Sequence, residues 1–523
     1  MRMVSPRKDD VLPAGLHSRL AGPPAFRLPS LVKFRDCAQM IIPLKLSRTS
    51  SETRTQLVST KEFASAHLVG IAGSGMKALA EMLCDLGWSI TGSDLHLPDA
   101  VLGAMRSRGL RLHLGHGNRF RASDFDVLVY SPAVEPDNPE RILAREMRIP
   151  EMSYSEMLGY LMRQRDGVSV AGTHGKSTTT AMVATILSEA GLSASAVIGA
   201  ELCGSRRSGW AGDGDLFVVE SCEYQRSFLD LAPKYAAILG IEEDHFDCYQ
   251  NLGELRAAFT QFARKLPSDG MLLVRGDCAA SIAVAESTSA EVVTFSQRPG
   301  ADWWTDRVYR TKTAARFRVF RRGEFFVEIK LPTPGEHNVN NALAAVALSH
   351  HCGASPESIR ESLQGFFGVQ RRFERVGSWR GVQLVDDYAH HPTAVRAALR
   401  TAREEFGRRR IWCAFQPHQV SRTQALLKQF ASSFSAADQI LIAPVFAARE
   451  NVTEEPVVLA EELASRVASQ GGAARFCPSL DRIISTLEDE ARPGDVLVTM
   501  GAGDINRVHD EFTRRLQRYH TAQ

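Results

Sequence analysis

At 523 residues the chain is longer than one hydrophobic core can organise, so three or four domains are expected. With 44% hydrophobic residues, 23% charged residues and a formal net charge of +2, it reads as a soluble globular protein, and neither nucleic acid nor an anionic membrane is expected as its main partner. Nine cysteines without ligand spacing exclude a disulfide framework and fit a cytoplasmic protein, and no apolar run approaches the roughly 18 residues of a membrane span.

Residues 1–64 are rich in Arg, Ser and Pro and lack a hydrophobic period. "MIIPLKL" is too short and interrupted for a signal-peptide core, so a flexible extension without catalytic role is expected there. From His67 the pattern becomes regular: "HLVGI" predicts a buried strand, "GMKALAEMLCDLG" a helix, "WSITGSD" and "DVLVYSP" further strands. Strands and helices alternating through short loops imply a doubly wound parallel sheet over residues 65–163.

A second block, 164–368, opens with strand "GVSVAG" and a helix from Lys176 to about Ala190. Strands "DLFVVES", "YAAILG" and "MLLV" follow, with a helix near 252–265, an antiparallel hairpin over 315–331, and helices near 338–351 and 356–366. The third block, 369–523, alternates again: strand "GVQLVDD", helix 392–406, strand "IWCAF", helix 423–434, strand "DQILIA", and strand "DVLVTMG" before a last helix. The fold class is therefore α/β, in three domains, each on a mainly parallel sheet.

Four stretches carry chemistry. In "GIAGSGM", Gly70, Gly73 and Gly75 lie between a strand and a helix, where backbone can approach a pyrophosphate, and Asp94 ends the next strand where a ribose hydroxyl could be bound. The GxxGxG spacing weakens a nicotinamide reading and leaves a structural turn open. In "GTHGKSTTT", amides between Thr173 and Ser177 can cradle phosphate, Lys176 can neutralise it and the Ser177 hydroxyl can hold magnesium, although Val170 stands where a standard phosphate loop has its first glycine. Glu220 ends one following strand, and Asp244 and His245 follow another, where open α/β sheets gather ligands. "VDDYAHHPTAV" and "AFQPHQVSR" each end a strand of the third block, a pattern that suggests a cleft lined by His390, His391, His418 and Arg422.

With these stretches named, the chain resembles the Mur ligase family, and within it the branch that joins L-alanine to UDP-N-acetylmuramate. The blocks "HLVGIAGSGM", "SPAVEPDNPE", "AGTHGKSTTT", "IEEDHFD", "GEHNVNNALAA", "RRFE", "DDYAHHPTAV", "FQPH" and "GAGDI" occur in family order over about residues 67–505. The resemblance implies a Rossmann-like N-terminal domain for the UDP-sugar, a P-loop central ATPase domain and a Rossmann-like C-terminal ligase domain. It implies ATP and magnesium as cofactors, UDP-N-acetylmuramate and L-alanine as substrates, and a cytoplasmic monomer or homodimer without membrane span or nucleic-acid partner.

By the same resemblance, Gly70, Gly73, Ser74, Gly75, Met76 and Asp94 face the UDP-sugar, together with His418 and Arg422. Gly172, Thr173, His174, Gly175, Lys176, Ser177, Thr178, His337, Asn338, Asn341, Arg372 and Asp387 bind ATP. Ser177, Glu220 and His245 hold magnesium, and Lys176, His390, His391 and Arg422 serve the chemistry. The chain departs from the family pattern at Ser177, Cys222, Gly240, Gln419 and Arg449; Gln419 stands at an arginine position and Arg449 at that of a small residue. A related ligase adding another amino acid or a recycled peptide, and a weakly active paralogue, stay open here; a nicotinamide-dependent dehydrogenase would leave the phosphate loop unexplained.

Overall fold

Three sheets carry the computed structural model, which describes residues 63–117, 120–450 and 455–521. The expected flexible extension lies outside the described residues except for its last two positions. All three sheets belong to one compact unit, Lys61–Gln523.

The first sheet is parallel throughout, in the order Arg111–Leu114, Ser89–Asp94, Ser65–Val69, Val127–Tyr130, Glu151–Ser153. Strand order reverses on either side of Ser65–Val69, and the glycine loop leaves that strand for helix Ser74–Asp85 at the reversal, where doubly wound sheets open a crevice. This helix also docks onto the second sheet. Buried Glu81 accepts hydrogen bonds from the Ser208 and Gly209 amides at 3.0 and 2.9 Å, and a Cβ on Gly209 would sit 1.8 Å from the Ala78 carbonyl oxygen. Only glycine allows that approach.

The second sheet has ten strands. Asp166–Ala171, which feeds the phosphate loop, is flanked by parallel Leu216–Glu220 and Pro233–Ile238, so the loops after both neighbours converge on it. Helix Lys176–Leu187 is buried on nearly every side, between the sheet and helix Glu336–His351, which explains its apolar and threonine-rich sequence without an amphipathic stripe. The expected hairpin is wider than predicted: Trp303–Arg310 pairs with Ala315–Arg321, which pairs with Glu324–Leu331, making a three-stranded antiparallel meander.

In the third sheet, Val496–Met500 lies between Val382–Asp387 and Ile411–Phe415, all parallel, with antiparallel Glu374–Trp379 at one edge. Asp387 and Phe415 both register with Met500, so the loops after the two flanking strands leave the same sheet edge. Helix Pro392–Phe406 begins as expected, with Pro392 in its first turn and His391 capping it. The helix expected over 423–434 is instead two short ones, Val420–Ala425 and Leu427–Ala431, because the backbone leaves the helical region at Leu426.

Candidate functional site

The phosphate loop turns on two glycines in the left-handed region, Gly172 at φ +126° and Gly175 at φ +84°. A Cβ on Gly172 would meet the Leu239 amide nitrogen at 2.9 Å, and one on Gly175 would meet Asn341 Oδ1 at 2.3 Å. Bare backbone is thus required at both ends of the cradle, and the second contact sets the Asn338–Asn341 helix turn directly against the loop. Thr173, Ser177 and Thr178 are buried around it.

Lys176 Nζ donates to the Gly172 carbonyl at 2.7 Å and to Glu223 Oε1 at 2.9 Å. Burial alone would lower the lysine's pKa, but the Glu223 charge reverses that and raises it, so the ammonium stays protonated. Glu223 is fully buried; burial pushes its carboxyl up, while Lys176 and His245, whose Nε2 lies 3.5 Å away, bring it below the usual range. Ser177 donates to Glu220 Oε1 at 3.1 Å, and Arg372 reaches over from the third sheet to the Ser177 hydroxyl at 3.2 Å.

A hydroxyl, a carboxylate and a lysine aimed into a glycine cradle form a donor set that suits a magnesium-bound polyphosphate. His337 adds a buried Nδ1 without a hydrogen-bond partner, on an imidazole pushed down to about 4 by burial and by Arg400 and Arg372. Asn338 donates to the Pro334 carbonyl and Asn341 to Asn338 Oδ1, which fixes both amides beside the loop. Asp387 accepts the Phe373 and Ala389 amides at 2.8 and 2.7 Å, clasping its own loop, and burial pushes its carboxyl up to about 6.

The third sheet closes onto the second through a row of contacts. Arg422 Nε donates to Asp244 Oδ1 at 2.6 Å with both side chains almost wholly buried. His391 Nδ1 accepts the Thr393 amide, so its Nε2 carries the proton and donates to the Glu243 carbonyl at 3.2 Å. Thr393 donates to Glu242 at 2.8 Å, and Gln419 to Asp247 at 3.1 Å. His174, Glu242 and His391 bring one ligand atom each within 4.8 Å of one another, a nitrogen and oxygen set able to hold a cation.

His390 donates from Nδ1 to the Tyr388 carbonyl at 2.8 Å, which leaves Nε2 with a free lone pair. Its pKa is held well below the usual histidine value by burial and then by Arg422; His391 and His418 are pushed down to about 4, mainly by burial. All three are neutral near pH 7. His245 and Gln419 both have positive φ, +56° and +66°, which is costly for residues with a side chain.

The first-sheet loop is built more tightly than its sequence suggests. Asp94 accepts the Ala72 and His96 amides, so it braces the glycine loop, and Met76 is buried in the core. Gly73 caps helix Ser74–Asp85, and the Gly70 amide donates to the Ser93 carbonyl at 2.8 Å. A Cβ on Gly75 would touch the Tyr154 ring at 2.9 Å; Tyr154 is partly buried near Glu220, and desolvation and that charge together raise its phenol. This tyrosine links the two loops and carries no motif signal. Sequence reasoning also misses the parts played by Glu223 and Glu242, although both stand in the runs "ESCEYQ" and "IEEDHFD".

Comparison with known proteins matches this geometry. Residues 65–166 match the Mur ligase family, catalytic domain, residues 170–349 the Mur ligase middle domain, and residues 371–503 the Mur ligase, glutamate ligase domain. The UDP-N-acetylmuramate--L-alanine ligase of Salinibacter ruber is 40% identical over 469 residues, covering 89% of this chain and 98% of that protein. The like-named protein of Acetivibrio thermocellus is 34% identical, covering 88% and 98%. The crystal structure of UDP-N-acetylmuramate-alanine ligase from Thermotoga maritima superposes with TM-score 0.73 at 27% identity, covering 88% of this chain and 100% of that one. Three family domains matched in order, with relatives 34% and 40% identical over most of both chains, show that the chain belongs to the Mur ligase family.

Proposed function

We propose that this chain joins L-alanine to the carboxylate of UDP-N-acetylmuramate at the expense of ATP, in peptidoglycan precursor synthesis. One observation carries the reading: the phosphate loop with Lys176, Ser177 and Glu220 and the edge bearing His390, His418 and Arg422 face each other across one cleft, closed by the buried Arg422–Asp244 pair. Amide formation from a carboxylate needs that carboxylate activated, and phosphoryl transfer from ATP supplies an acyl phosphate that an amine can attack.

Lys176 and Arg372 would meet the phosphates, and Ser177 and Glu220, with His245 behind Glu223, would hold magnesium, which supplies charge neutralisation on the transferring phosphoryl. His337, Asn338 and Asn341 lie on the nucleotide side, with Asp387 shaping the loop that carries the histidines. His390 Nε2 is the group suited to take the amine proton, and His391 positions the closing loop. The Gly70–Met76 loop, at the switch point of the first sheet, suits the diphosphate of the UDP-sugar. The domains run 65–163, 164–368 and 369–523, and the enzyme works in the cytoplasm; no helix among the described residues is long and apolar enough to cross a membrane.

The test is phosphate release from ATP with UDP-N-acetylmuramate and, separately, L-alanine, glycine, L-serine and a cell-wall tripeptide. L-Alanine should give the highest kcat/KM. Preference for the tripeptide would reassign the chain within the family, and no release by folded protein would remove the ligase reading.

A further inference from the structure

A free amino acid enters this cleft with a carboxylate that must be held while its amine attacks, and such a group calls for an uncommitted guanidinium or ammonium. Arg422 has the right charge but is paired with Asp244 and buried. Its Nε is on Asp244, its Nη1 is shared between His418 Nδ1 and the His418 carbonyl, and the side chain is 1% exposed. Gln419, next to it, is neutral and gives its amide to Asp247.

Arg449 is different. It is exposed, no carboxylate among the described residues pairs with it, and its guanidinium lies over the Tyr224 ring at 5.1 Å. The Tyr224 ring is 5.1 Å from His245, the imidazole beside Glu223 and hence Lys176, so Arg449 stands at the mouth of the same cleft. Its position is built rather than accidental. The neighbouring Glu450 accepts the Val420 and Ser421 amides, fixing this loop to the helix that carries Arg422, and the Gln419 amide donates to the Phe446 carbonyl at 2.9 Å.

We propose that Arg449, rather than Arg422, is the cation that receives the carboxylate of the incoming amino acid, with Arg422 serving to hold the cleft shut on Asp244. The inference rests on the ligase reading above and adds the contact that selects α-amino acids over simple amines. Arg449 is held by the Tyr224 ring and phenol and by no carboxylate among the described residues, so N–H donors of its fork remain for an incoming carboxylate.

The test uses the full chain and its Arg449→Ala and Arg449→Lys variants, with phosphate release followed while L-alanine, L-alaninamide, ATP and UDP-N-acetylmuramate are varied in turn. Arg449→Ala is expected to raise the KM for L-alanine about tenfold or more, the scale of one lost charge-assisted contact, while the KM values for both nucleotides stay within about twofold. The preference for L-alanine over L-alaninamide should fall by the same factor, and Arg449→Lys should recover part of both. An L-alanine KM within about twofold of the unmodified chain, or an unchanged preference, overturns the assignment while leaving the ligase reading standing. Failure of the unmodified chain itself to turn over L-alanine removes both.

Discussion

Lys176 Nζ and Glu223 Oε1 lie 2.9 Å apart at the floor of the phosphate loop, so the cation meant for phosphate is already neutralised by a carboxylate with no exposure of its own. Removing one member leaves the other charged and buried, which costs about 3–5 kcal/mol, whereas removing both costs much less. Lys176→Ala should therefore abolish turnover and lower unfolding stability by that order, while UDP-N-acetylmuramate binding persists. Adding Glu223→Gln to it should restore most of the stability and none of the turnover. Denaturant unfolding of the four members of the cycle measures the coupling, and additive effects would show that the pair is energetically unimportant.

Gly175 is the second pressure point. Its φ is +84°, and an added Cβ would lie 2.3 Å from Asn341 Oδ1, so alanine would strain the backbone and push the asparagine away together. Gly175→Ala should cost about 1–3 kcal/mol and weaken ATP binding at least about tenfold, read by calorimetric titration and thermal melting. Gly323, at φ +88° in an open turn with nothing near, should lose only the backbone contribution and keep ATP affinity when changed to alanine.

Stability should also fall on mild acidification. His337, His391 and His418 are each pushed down to about 4 in the folded chain, so between pH 6.5 and 4 the unfolded chain binds more protons and unfolding gains ground as pH drops. Asp387, pushed up to about 6, and Glu374 and Glu405, raised by burial, act in the opposite sense, but His351, His390 and His509 are also pushed down and side with the first three histidines. His337→Gln removes one titrating group, and the slope of stability against pH in that window should shrink by about one proton; an unchanged slope would mean that His337 is not buried neutral.

The fold is legible in the sequence because hydrophobic runs such as "HLVGI" and "IWCAF" have one reading once short loops and helical periods separate them. The phosphate loop is legible for a related reason: its glycines and lysine are contiguous in sequence. What stays hidden depends on distance along the chain. Glu223 stands three residues past Glu220 as one more acid, and only folding shows that it faces Lys176. Asp94 reads as a ribose ligand by spacing, yet it is occupied by two backbone amides. Trp303–Arg310 escapes a sequence reading because its pairing partner, not its own alternation, makes it a meander strand. The break at Leu426 stands in a stretch with no Gly or Pro to signal it.

His390 supplies the last prediction. With Nδ1–H on the Tyr388 carbonyl, its Nε2 is an acceptor at every pH where the ring is neutral, and burial and Arg422 keep it neutral well below pH 6.5. A base of such low proton affinity contributes by position more than by strength, so His390→Gln should lower kcat by about 10²-fold, near the lower end of general-base effects, with little change in the KM for ATP. Between pH 6 and 8 the rate should rise with pH in the same way in both proteins, because protonation of the attacking amine, which titrates above this range, and not of His390, sets the dependence. A kcat unchanged by the substitution would move the proton transfer to another acceptor. A midpoint between pH 6 and 8 that the variant loses would instead mean that the imidazole titrates in the working range and that Arg422 does not govern it.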